Sequence, residues 1–332
     1  PGWLVFGDLS RSSQVRVLRP LAARALYQFG ITPKSFRLAN FGYNCTYRIV
    51  TEDGQLLGLR INLSSKRTAQ NLRAEVQWLK ALNERTSLRV PHPLLTVSGN
   101  EFAEVTLPGD ERKVSAVLYR WLDGHTLPDS PTKAQLRAMG EAMARMHDFA
   151  DSWRPAGDAA LQLITDPLQG TPNHVLSGDP RVSVDLLELV QQSLRNIESV
   201  FTRLHAEEPA KPIHADLHAG NALWCDRQLS VIDFDDSGLG FELQDLAIAI
   251  FYMRERTDRE QHFLAGYESV RAIPRFEPQE LEALLAARNI LLLSDLLVTS
   301  NAELAEFVPT YLERTKLRLA NYLETGTYLL IK

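Results

Sequence analysis

Cysteine is scarce in this sequence, and its scarcity narrows the kind of protein that the chain can be. Only two of the 332 residues are cysteine, Cys45 and Cys225. They do not have the spacing of a metal-binding pair, and two cysteines cannot build the disulfide framework of a small secreted domain. We therefore expect a protein of the reducing cytoplasm, in which both cysteines are ordinary buried side chains.

The sequence also lacks a surplus of basic residues and an uncharged hydrophobic run of membrane-spanning length. Its formal net charge is −5, whereas contacts to nucleic-acid phosphates need a basic surface. The most apolar stretch, residues 281–298, contains Glu282, Arg288 and Asp295, and this pattern indicates a buried helix rather than a membrane span. We expect neither nucleic acid nor a membrane as a partner.

A short hairpin is predicted in the part of the chain where polar residues are densest. The hydrophobic segments 222–224 and 231–232 have strand character, and a polar turn separates them. A tight hairpin brings the residue before its first strand close to the residue after its second strand. We therefore expect Asn221 and Asp233 to converge, with Asp216 just upstream of them.

Phosphoryl transfer requires the residue types that this hairpin brings together. The reaction needs an acceptor for the proton of the attacking hydroxyl, and hard oxygen ligands that hold magnesium against the phosphates. We expect Asp216 to be the catalytic proton acceptor, and Asn221 and Asp233 to be the metal ligands. The spacing D-x-x-x-x-N matches the catalytic loop of kinases, and the following D-F-D stands where protein kinases carry D-F-G.

In this stretch the chain resembles the aminoglycoside phosphotransferase family, which includes choline kinases, type II homoserine kinases and a bacterial stress-response kinase. The matching segments are residues 214–221, 233–238 and 245–247. The resemblance implies a bilobal, protein kinase-like fold of the α+β class. It also implies ATP- and Mg²⁺-dependent phosphorylation of a hydroxyl group, with ATP and a hydroxyl-bearing acceptor as the partners.

The bilobal fold divides the chain into a β-rich N-lobe and a mostly helical C-lobe. We assign residues 1–119 to the N-lobe, which contains one key helix, and residues 120–332 to the C-lobe. In a kinase-like N-lobe, the turn at Gly42 and Asn44 covers the ATP phosphates with backbone N–H groups. A plain hairpin turn is the alternative interpretation, because the turn contains a single glycine.

Arg60 lies on the third predicted strand, at residues 56–61, where kinases usually carry a lysine that binds the α- and β-phosphates. Its expected partner is Glu75, in the predicted helix at 68–83. An arginine still supplies a charge and a fork of donors, although the geometry differs from that of lysine. The alternative is a surface arginine on an edge strand.

The nucleotide base has a predicted site where the strand at residues 114–121 ends. The resemblance makes this segment the hinge between the lobes, where backbone groups near Tyr119 and Trp121 would hold adenine. The sequence itself shows a strand that ends shortly before an Asp-Gly turn.

Helical periodicity dominates the remainder of the chain, apart from an irregular segment at 150–180 that is rich in Pro, Gly and Asp. We expect His147 to be a core or capping residue, His214 to support the catalytic loop, and Asp245 to hold that loop as a buried carboxylate. Helices are predicted at residues 13–29, 134–149, 182–205, 243–254, 257–270, 278–298 and 301–325.

The acceptor is expected to be a small molecule, because the segment after Asp233 is too short to support a peptide strand. Asp235 is predicted to bind it, and Asp235, Asp236 and Glu242 together would favour an amino- or ammonium-bearing alcohol. The alternative is that these acids form a solvated face or cap the next helix. A carboxylate-bearing acceptor would need a nearby Arg or Lys, which the sequence does not locate.

Three other functions stay open at this point. The stress-response relatives phosphorylate protein Ser and Thr residues, so a protein kinase is one alternative. A catalytically dead, kinase-fold binding module is another, which the weak glycine loop and Arg60 suggest. A zinc or iron site is the third, because His214, Asp216 and His218 alternate and would share one face of a strand.

Overall fold

The computed structural model describes residues 6, 9–42, 44–63, 67–108, 112–299 and 301–331. Its N-terminal part is built on an antiparallel sheet of six strands in the order β1-β2-β3-β6-β4, with β5 also paired to β6. These strands are β1 (Pro33–Phe41), β2 (Cys45–Thr51), β3 (Leu56–Ile61), β4 (His92–Leu94), β5 (Ala103–Thr106) and β6 (Lys113–Arg120).

Two helices flank this sheet, and they differ in what they pack against. The first, α1 (Arg11–Gln28), buries Leu18, Leu21 and Leu26 in the same core as the sheet. The second, α2 (Ala69–Arg85), has Thr68 as its N-cap within a capping box. Its apolar face belongs to the large core of the helical part. Because α2 flanks the sheet and also packs into the helical core, its side chains are held in place relative to both parts of the molecule.

Helices form most of the C-terminal part, together with five short strands. A three-stranded sheet has the order β10-β9-β7, and β8 pairs with β11. The helices are α3 (Lys133–Ala150), α4 (Val184–Glu207), α5 (Glu242–Phe251), α6 (Thr257–Glu268), α7 (Pro278–Leu297), α8 (Ala302–Ala305) and α9 (Val308–Thr325). The strands are β7 (His125–Thr126), β8 (Lys211–Ile213), β9 (Ala222–Cys225), β10 (Gln228–Val231) and β11 (Gly238–Gly240).

Two glycines allow helices α3 and α6 to touch backbone to backbone. A Cβ atom on Gly140 would lie 2.0 Å from the carbonyl oxygen of Phe263, and one on Gly266 would lie 2.0 Å from that of Arg137. Any larger side chain would separate the helices, so both positions require glycine in this packing.

The bilobal α+β fold is confirmed, and each predicted helix is present within a few residues of its expected bounds. One prediction is wrong in detail: residues 301–325 do not form one helix, because α9 starts anew at Val308 with Pro309 in its first turn. Cys225 is half-buried rather than buried. Strand β6 continues through the predicted lobe boundary to Arg120, and that boundary stays a prediction.

Within the described residues, no helix combines the length and the apolar character needed to cross a membrane.

Candidate active site

The hairpin of β9 and β10 forms as the sequence predicts and fixes the spacing of two polar side chains. Asp226 and Arg227 have φ values of 50° and 63°, which is the conformation of a two-residue type I′ turn. Beyond the last strand pair, the N–H of Ile232 donates to the carbonyl oxygen of Asn221 at 2.9 Å. Asn221 and Asp233 therefore lie side by side at the open end of the hairpin.

Asp245 holds the start of the catalytic loop, as predicted. Its carboxylate is fully buried on α5 and accepts the N–H of Ala215 at 2.8 Å and the N–H of His214 at 3.2 Å. The ring Nε2 of His147 lies 3.0 Å from the same carboxylate, and its Nδ1 lies 2.8 Å from the hydroxyl of Tyr267. Ala215 has a φ of 65°, so these bonds stabilise a backbone conformation that is unfavourable for alanine.

His214 supports the loop and cannot bind a metal in this arrangement. Its Nδ1 accepts the N–H of Asp216 at 3.2 Å, and its Nε2 donates to the carbonyl oxygen of Ile232 at 3.1 Å. Burial lowers the pKa of His214, which favours the neutral ring. Among the described residues, no group of three or more His, Cys, Asp or Glu side chains is arranged so that it could hold a metal ion. The alternative of a zinc or iron site at His214, Asp216 and His218 is therefore wrong.

Asp216 lies between the carboxamide of Asn221 and an arginine from a distant helix. Its Oδ2 accepts a hydrogen bond from Asn221 Nδ2 at 2.8 Å, and its Oδ1 accepts one from Arg288 Nη2. Burial would raise the pKa of Asp216, but Arg288 and then His218 outweigh burial and hold that pKa below its ordinary value. Asp216 is therefore an ionised hydrogen-bond acceptor at neutral pH.

Arg288 and Tyr252 complete the surroundings of Asp216, and the sequence analysis missed both. Arg288 lies on α7, is only 5% exposed, and donates from Nη2 to the Tyr252 hydroxyl at 2.9 Å. That hydroxyl is 3.4 Å from Asp216 Oδ1. The sequence did contain a signal: a charged residue in an otherwise apolar helix is seldom buried without a partner.

Asp233 and Asp235 extend from the hairpin towards Arg60. The Oδ1 atoms of Asp233 and Asp235 lie 4.0 Å and 3.7 Å from the Arg60 guanidinium. Loss of water in the pocket raises the pKa of Asp233 to about 6. The positive charge of Arg60 lowers that pKa, and the negative charges of Asp235 and Asp216 raise it further. The side chain of Asp233 is still 43% exposed, so it is open to a ligand in the pocket.

Arg60 forms the predicted ion pair with Glu75 in the interior of the protein. Its Nη2 donates to Glu75 Oε2 at 2.8 Å, and its Nε donates to Asn62 Oδ1 at 2.8 Å. The hydroxyl of Tyr119 donates to the other oxygen of Glu75 at 3.0 Å. Strand β3 lies between β2 and β6, and Arg60 is 6% exposed, so the alternative of a surface arginine on an edge strand is wrong.

The turn after β1 is tied to the C-terminal part by two asparagines. The carbonyl oxygen of Gly42 accepts Asn301 Nδ2 at 3.1 Å, and Asn44 Nδ2 donates to Asp235 Oδ2 at 2.9 Å. Tyr43, at the tip of the predicted turn, lies outside the described residues. The N–H of Gly42 donates to the Asn44 carbonyl oxygen at 3.0 Å, so it is not available to a phosphate here.

The end of β6 forms one side of a flat slot beneath the sheet. The Trp121 ring lines the pocket, and the guanidinium carbon of Arg48 lies 5.5 Å from the centroid of that ring. A Cβ atom on Gly58 would lie 3.4 Å from the Trp121 ring, an ordinary van der Waals contact, so Trp121 packs against the strand at this glycine. The N–H of Trp121 donates to the Leu56 carbonyl oxygen at 3.0 Å and thus belongs to the sheet.

Apart from Glu242, the residues predicted for catalysis and for nucleotide, metal and acceptor binding all line one pocket of about 1250 Å³ between the sheet and the helices. Among the residues that the structure describes, the charged lining is mixed in sign, so arginines balance the negative potential expected from the acidic side chains. It consists of seven arginines, Arg37, Arg48, Arg60, Arg67, Arg112, Arg120 and Arg288, and six carboxylates, Glu75, Asp216, Asp233, Asp235, Asp236 and Asp295.

The predicted acidic acceptor cluster does not form. Glu242 is wrongly assigned to it, because its carboxylate accepts Lys211 Nζ at 2.9 Å and Arg271 Nη2 at 2.7 Å and does not line the pocket. Asp235 contacts Arg60 and Asn44, as described above. Asp236 does line the pocket, where burial and then the carboxylates of Asp216 and Asp235 raise its pKa to about 7.

Asn221 and Asp233 present the type of donors that magnesium prefers. Both bonds from Asn221 Nδ2 go to Asp216, at 2.8 Å to Oδ2 and at 2.9 Å to the backbone oxygen, so the amide oxygen of Asn221 faces the other way. The exposed carboxylate of Asp233 is its neighbour. Magnesium needs only one or two protein oxygens when phosphates and water supply the rest, so this pair fits the ion.

Comparisons with known proteins give the same family. The model of the phosphotransferase enzyme family matches residues 38–284. An uncharacterized protein of Deinococcus radiodurans is 29% identical over 238 residues, which are 70% of this chain and 66% of the relative. Amicoumacin kinase of Bacillus subtilis is 22% identical over 230 residues, 69% of this chain and 66% of the kinase. The chain thus spans just under two thirds of the length of these two relatives.

Further matches extend the same pattern. Homoserine kinase of Hyphomonas neptunium is 27% identical over 265 residues, 73% of this chain and 74% of the kinase. A microcompartment-associated aminopropanol kinase shares the fold with a TM-score of 0.76 at 23% identity, covering 94% of this chain and 99% of that one. An amicoumacin kinase bound to AMP-PNP and Ca²⁺ gives a TM-score of 0.71 at 17% identity, covering 97% and 98% of the two chains. From its residues 38–284, the chain belongs to the phosphotransferase enzyme family.

Proposed function

We propose that this protein transfers the γ-phosphate of ATP, in the presence of Mg²⁺, to a hydroxyl group of a small molecule. The observation that carries the proposal is the meeting of Asp216, Asn221 and Asp233 in one pocket beside the Arg60–Glu75 ion pair. Phosphoryl transfer needs these parts: a proton acceptor, oxygen ligands for the metal, and a cation for the phosphates.

Asp216 is the catalytic residue of the proposed reaction. The acceptor oxygen forms a bond to the γ-phosphorus, the bond from that phosphorus to the bridging oxygen of ADP breaks, and the hydroxyl proton passes to Asp216. Asn221 and Asp233 would hold Mg²⁺, which neutralises the phosphate oxygens when it is bound. The ion pair with Glu75 keeps the Arg60 guanidinium where the α- and β-phosphates are expected.

The remaining nucleotide contacts are proposed for the slot under the sheet. Trp121 and the backbone near Tyr119 would bind the base, and the turn at Gly42 and Asn44 would lie over the phosphates without using the Gly42 N–H, which donates to the Asn44 carbonyl oxygen. Asp235 bonds to Asn44 and lies 3.7 Å from Arg60, so we now propose that it organises the nucleotide side rather than the acceptor.

A small acceptor suits the shape of the site better than a protein does. Side chains from the irregular segment, among them Gln162, Gln169 and Thr171, line the pocket together with residues of α7 and take up part of its wall. The named relatives are kinases of amicoumacin, homoserine and aminopropanol, all small molecules. Phosphorylation of protein Ser or Thr residues, and a dead binding module, are the alternatives that the assays below distinguish.

The test measures transfer of labelled γ-phosphate from ATP to a panel of hydroxyl metabolites, to a generic protein and to the chain itself. Asp233→Ala should abolish transfer and weaken magnesium-dependent nucleotide binding, because the phosphate charge is then poorly neutralised. Asp216→Asn should abolish transfer while nucleotide binding stays largely intact, because it removes the proton acceptor and not the metal ligands.

Matched variants on the same chain control for general damage. Asp258 is an exposed aspartate that pairs with Arg256 outside the pocket, so Asp258→Ala should behave as the wild type does. Label on protein but on no metabolite would favour the protein kinase. Nucleotide binding without any transfer would favour the binding module, and wild-type rates with Asp233→Ala would refute the metal assignment.

A further inference from the structure

Arg288 is a buried arginine that uses only part of its hydrogen-bonding capacity. A guanidinium has five N–H donors. In the part of the chain that the structure describes, the hydrogen bonds of Arg288 come from Nη2 alone, to Asp216 and to Tyr252. Its Nε is fully buried without a partner and is out of a ligand's reach, whereas Nη1 makes no hydrogen bond and is the remaining donor of a side chain that lines the pocket. An unpaired donor on a cation that is only 5% exposed is unfavourable, so Nη1 favours the binding of a hydrogen-bond acceptor from the pocket.

The position of Arg288 shows which ligand it can reach. The Oδ2 atom and backbone oxygen of Asp216 receive the Asn221 amide, while Oδ1 receives Arg288 and the Tyr252 hydroxyl at 3.4 Å. The two carboxylate oxygens point to opposite sides of the group. Arg288 therefore lies on the side of Asp216 that faces away from Asn221. The metal and the donor phosphates are proposed to bind on the opposite side, next to Asn221.

We propose that the acceptor carries a carboxylate close to its reacting hydroxyl, and that Arg288 binds this carboxylate. The inference rests on the proposed phosphotransferase function and adds the chemical class of its acceptor. Both hydrogens of Nη2 are already used, so Nη1 can donate one charge-assisted hydrogen bond to a carboxylate oxygen, and the guanidinium supplies the opposite charge. An ammonium group at the same place would face a buried cation instead.

The neighbouring surface of α7 is consistent with a short hydroxy acid or hydroxy amino acid. Leu291 and Leu292 follow Arg288 by three and four residues, so they share its face of the helix and line the same pocket. The pocket thus offers a cation at the reacting end and an apolar surface beside it, which suits a short molecule with a carboxylate.

The test uses pairs of alcohols that differ only in the carboxylate, with the full chain, ATP and Mg²⁺. Serine is compared with ethanolamine, and homoserine with 3-aminopropan-1-ol. The acid of a preferred pair should have a kcat/KM about 10- to 100-fold above that of its partner, the range expected for one charge-assisted interaction. Calorimetric titration into the complex with AMP-PNP and Mg²⁺ detects compounds that bind without turnover.

Substitution at Arg288 assigns the preference to this side chain. Arg288→Gln should raise the KM for the acid about 10- to 100-fold and remove the difference within the pair, with the KM for ATP unchanged. Arg288→Lys should retain part of the preference, since it keeps the charge but does not place a donor at the position of Nη1. Arg37→Gln removes an exposed arginine from the rim of the same pocket and should leave the preference intact.

Several results would overturn the proposal. One is a wild-type protein that neither binds nor phosphorylates any acid better than its decarboxylated partner, a comparison that needs no variant to fold. Another is a preference that survives in Arg288→Gln. A third is a fall of kcat in Arg288→Gln that is equal for every acceptor while the KM for the acid stays unchanged, which would confine Arg288 to its contact with Asp216.

These failures differ from a failure of the proposed function. If the acceptor class is wrong, γ-phosphate still moves to some hydroxyl and still requires Asp233. If the proposed function is wrong, no compound receives phosphate and Asp233→Ala changes nothing.

Discussion

Removing the carboxylate of Asp245 should be among the most damaging single changes to this protein. In Asp245→Ala, the N–H groups of His214 and Ala215 and the ring of His147 lose their acceptor in a site with no solvent exposure. Each buried donor left unpaired costs about 1–3 kcal/mol, and such costs are not fully additive. We therefore expect the free energy of unfolding to fall by about 3–5 kcal/mol.

Urea denaturation followed by circular dichroism measures this loss. Asp166→Ala is a matched control, because Asp166 also accepts two backbone N–H groups, from Leu168 at 2.9 Å and Gly170 at 2.7 Å, but is half-buried. Water can replace its carboxylate, so the cost should be near 1 kcal/mol or less. Equal losses for the two variants, or a loss below about 1 kcal/mol for Asp245→Ala, would contradict the reasoning.

Asp245→Asn refines the same prediction. A carboxamide keeps the shape of the side chain, but one of the two carboxylate oxygens is replaced by an NH₂ group. That NH₂ group is a donor, and it would face another donor where the oxygen accepted a hydrogen bond. The variant should fold with a loss between zero and that of Asp245→Ala. The strained φ of Ala215 depends on these bonds. Asp245→Asn should therefore reduce the rate of phosphotransfer more than it reduces the affinity for the nucleotide.

Two further predictions concern charged groups in or near the pocket. Arg60→Ala should lower the transfer rate about tenfold to a thousandfold, because the phosphates lose a positive charge that stabilises them. Arg60→Lys should recover part of the lost rate. An unchanged rate in Arg60→Ala would mean that Arg60 has a purely structural role. His214 has a folded pKa below its unfolded value of 6.5, so its neutral form stabilises the fold above that pH. Unfolding free energy should fall as pH drops below about 6.5, and His214→Gln should show a shallower fall; equal slopes would contradict this.

The polar centre of the site was predictable because its contacts are local in sequence. The hairpin places Asn221 and Asp233 by a two-residue turn and a few strand residues. The sequence reveals the strands by their hydrophobic residues and the turn by its polar composition. Glu75 was predictable for a similar reason: a strand followed by one helix leaves few carboxylates that can reach Arg60 in the core.

The acceptor side was not predictable, because distant helices build it. Arg288 reaches Asp216 across 72 residues, and no local pattern records which face of α7 meets the catalytic loop. Glu242 failed for the opposite reason. It is near the catalytic residues in sequence, but helix α5 begins there and turns its carboxylate towards Lys211 and Arg271.

The indole of Trp121 gives this protein an intrinsic fluorescent reporter of the slot that is proposed for the nucleotide base. Its ring lines the pocket beside the Arg48 guanidinium, whereas Trp78 and Trp153 are buried together with ring centroids 6.2 Å apart. Indole emission responds to nearby charge and water, so a base that enters between ring and solvent changes the fluorescence of Trp121. Ligand titrations therefore need no label, and Trp121→Phe supplies the blank, in which the other four tryptophans of the chain remain and whose signal is subtracted.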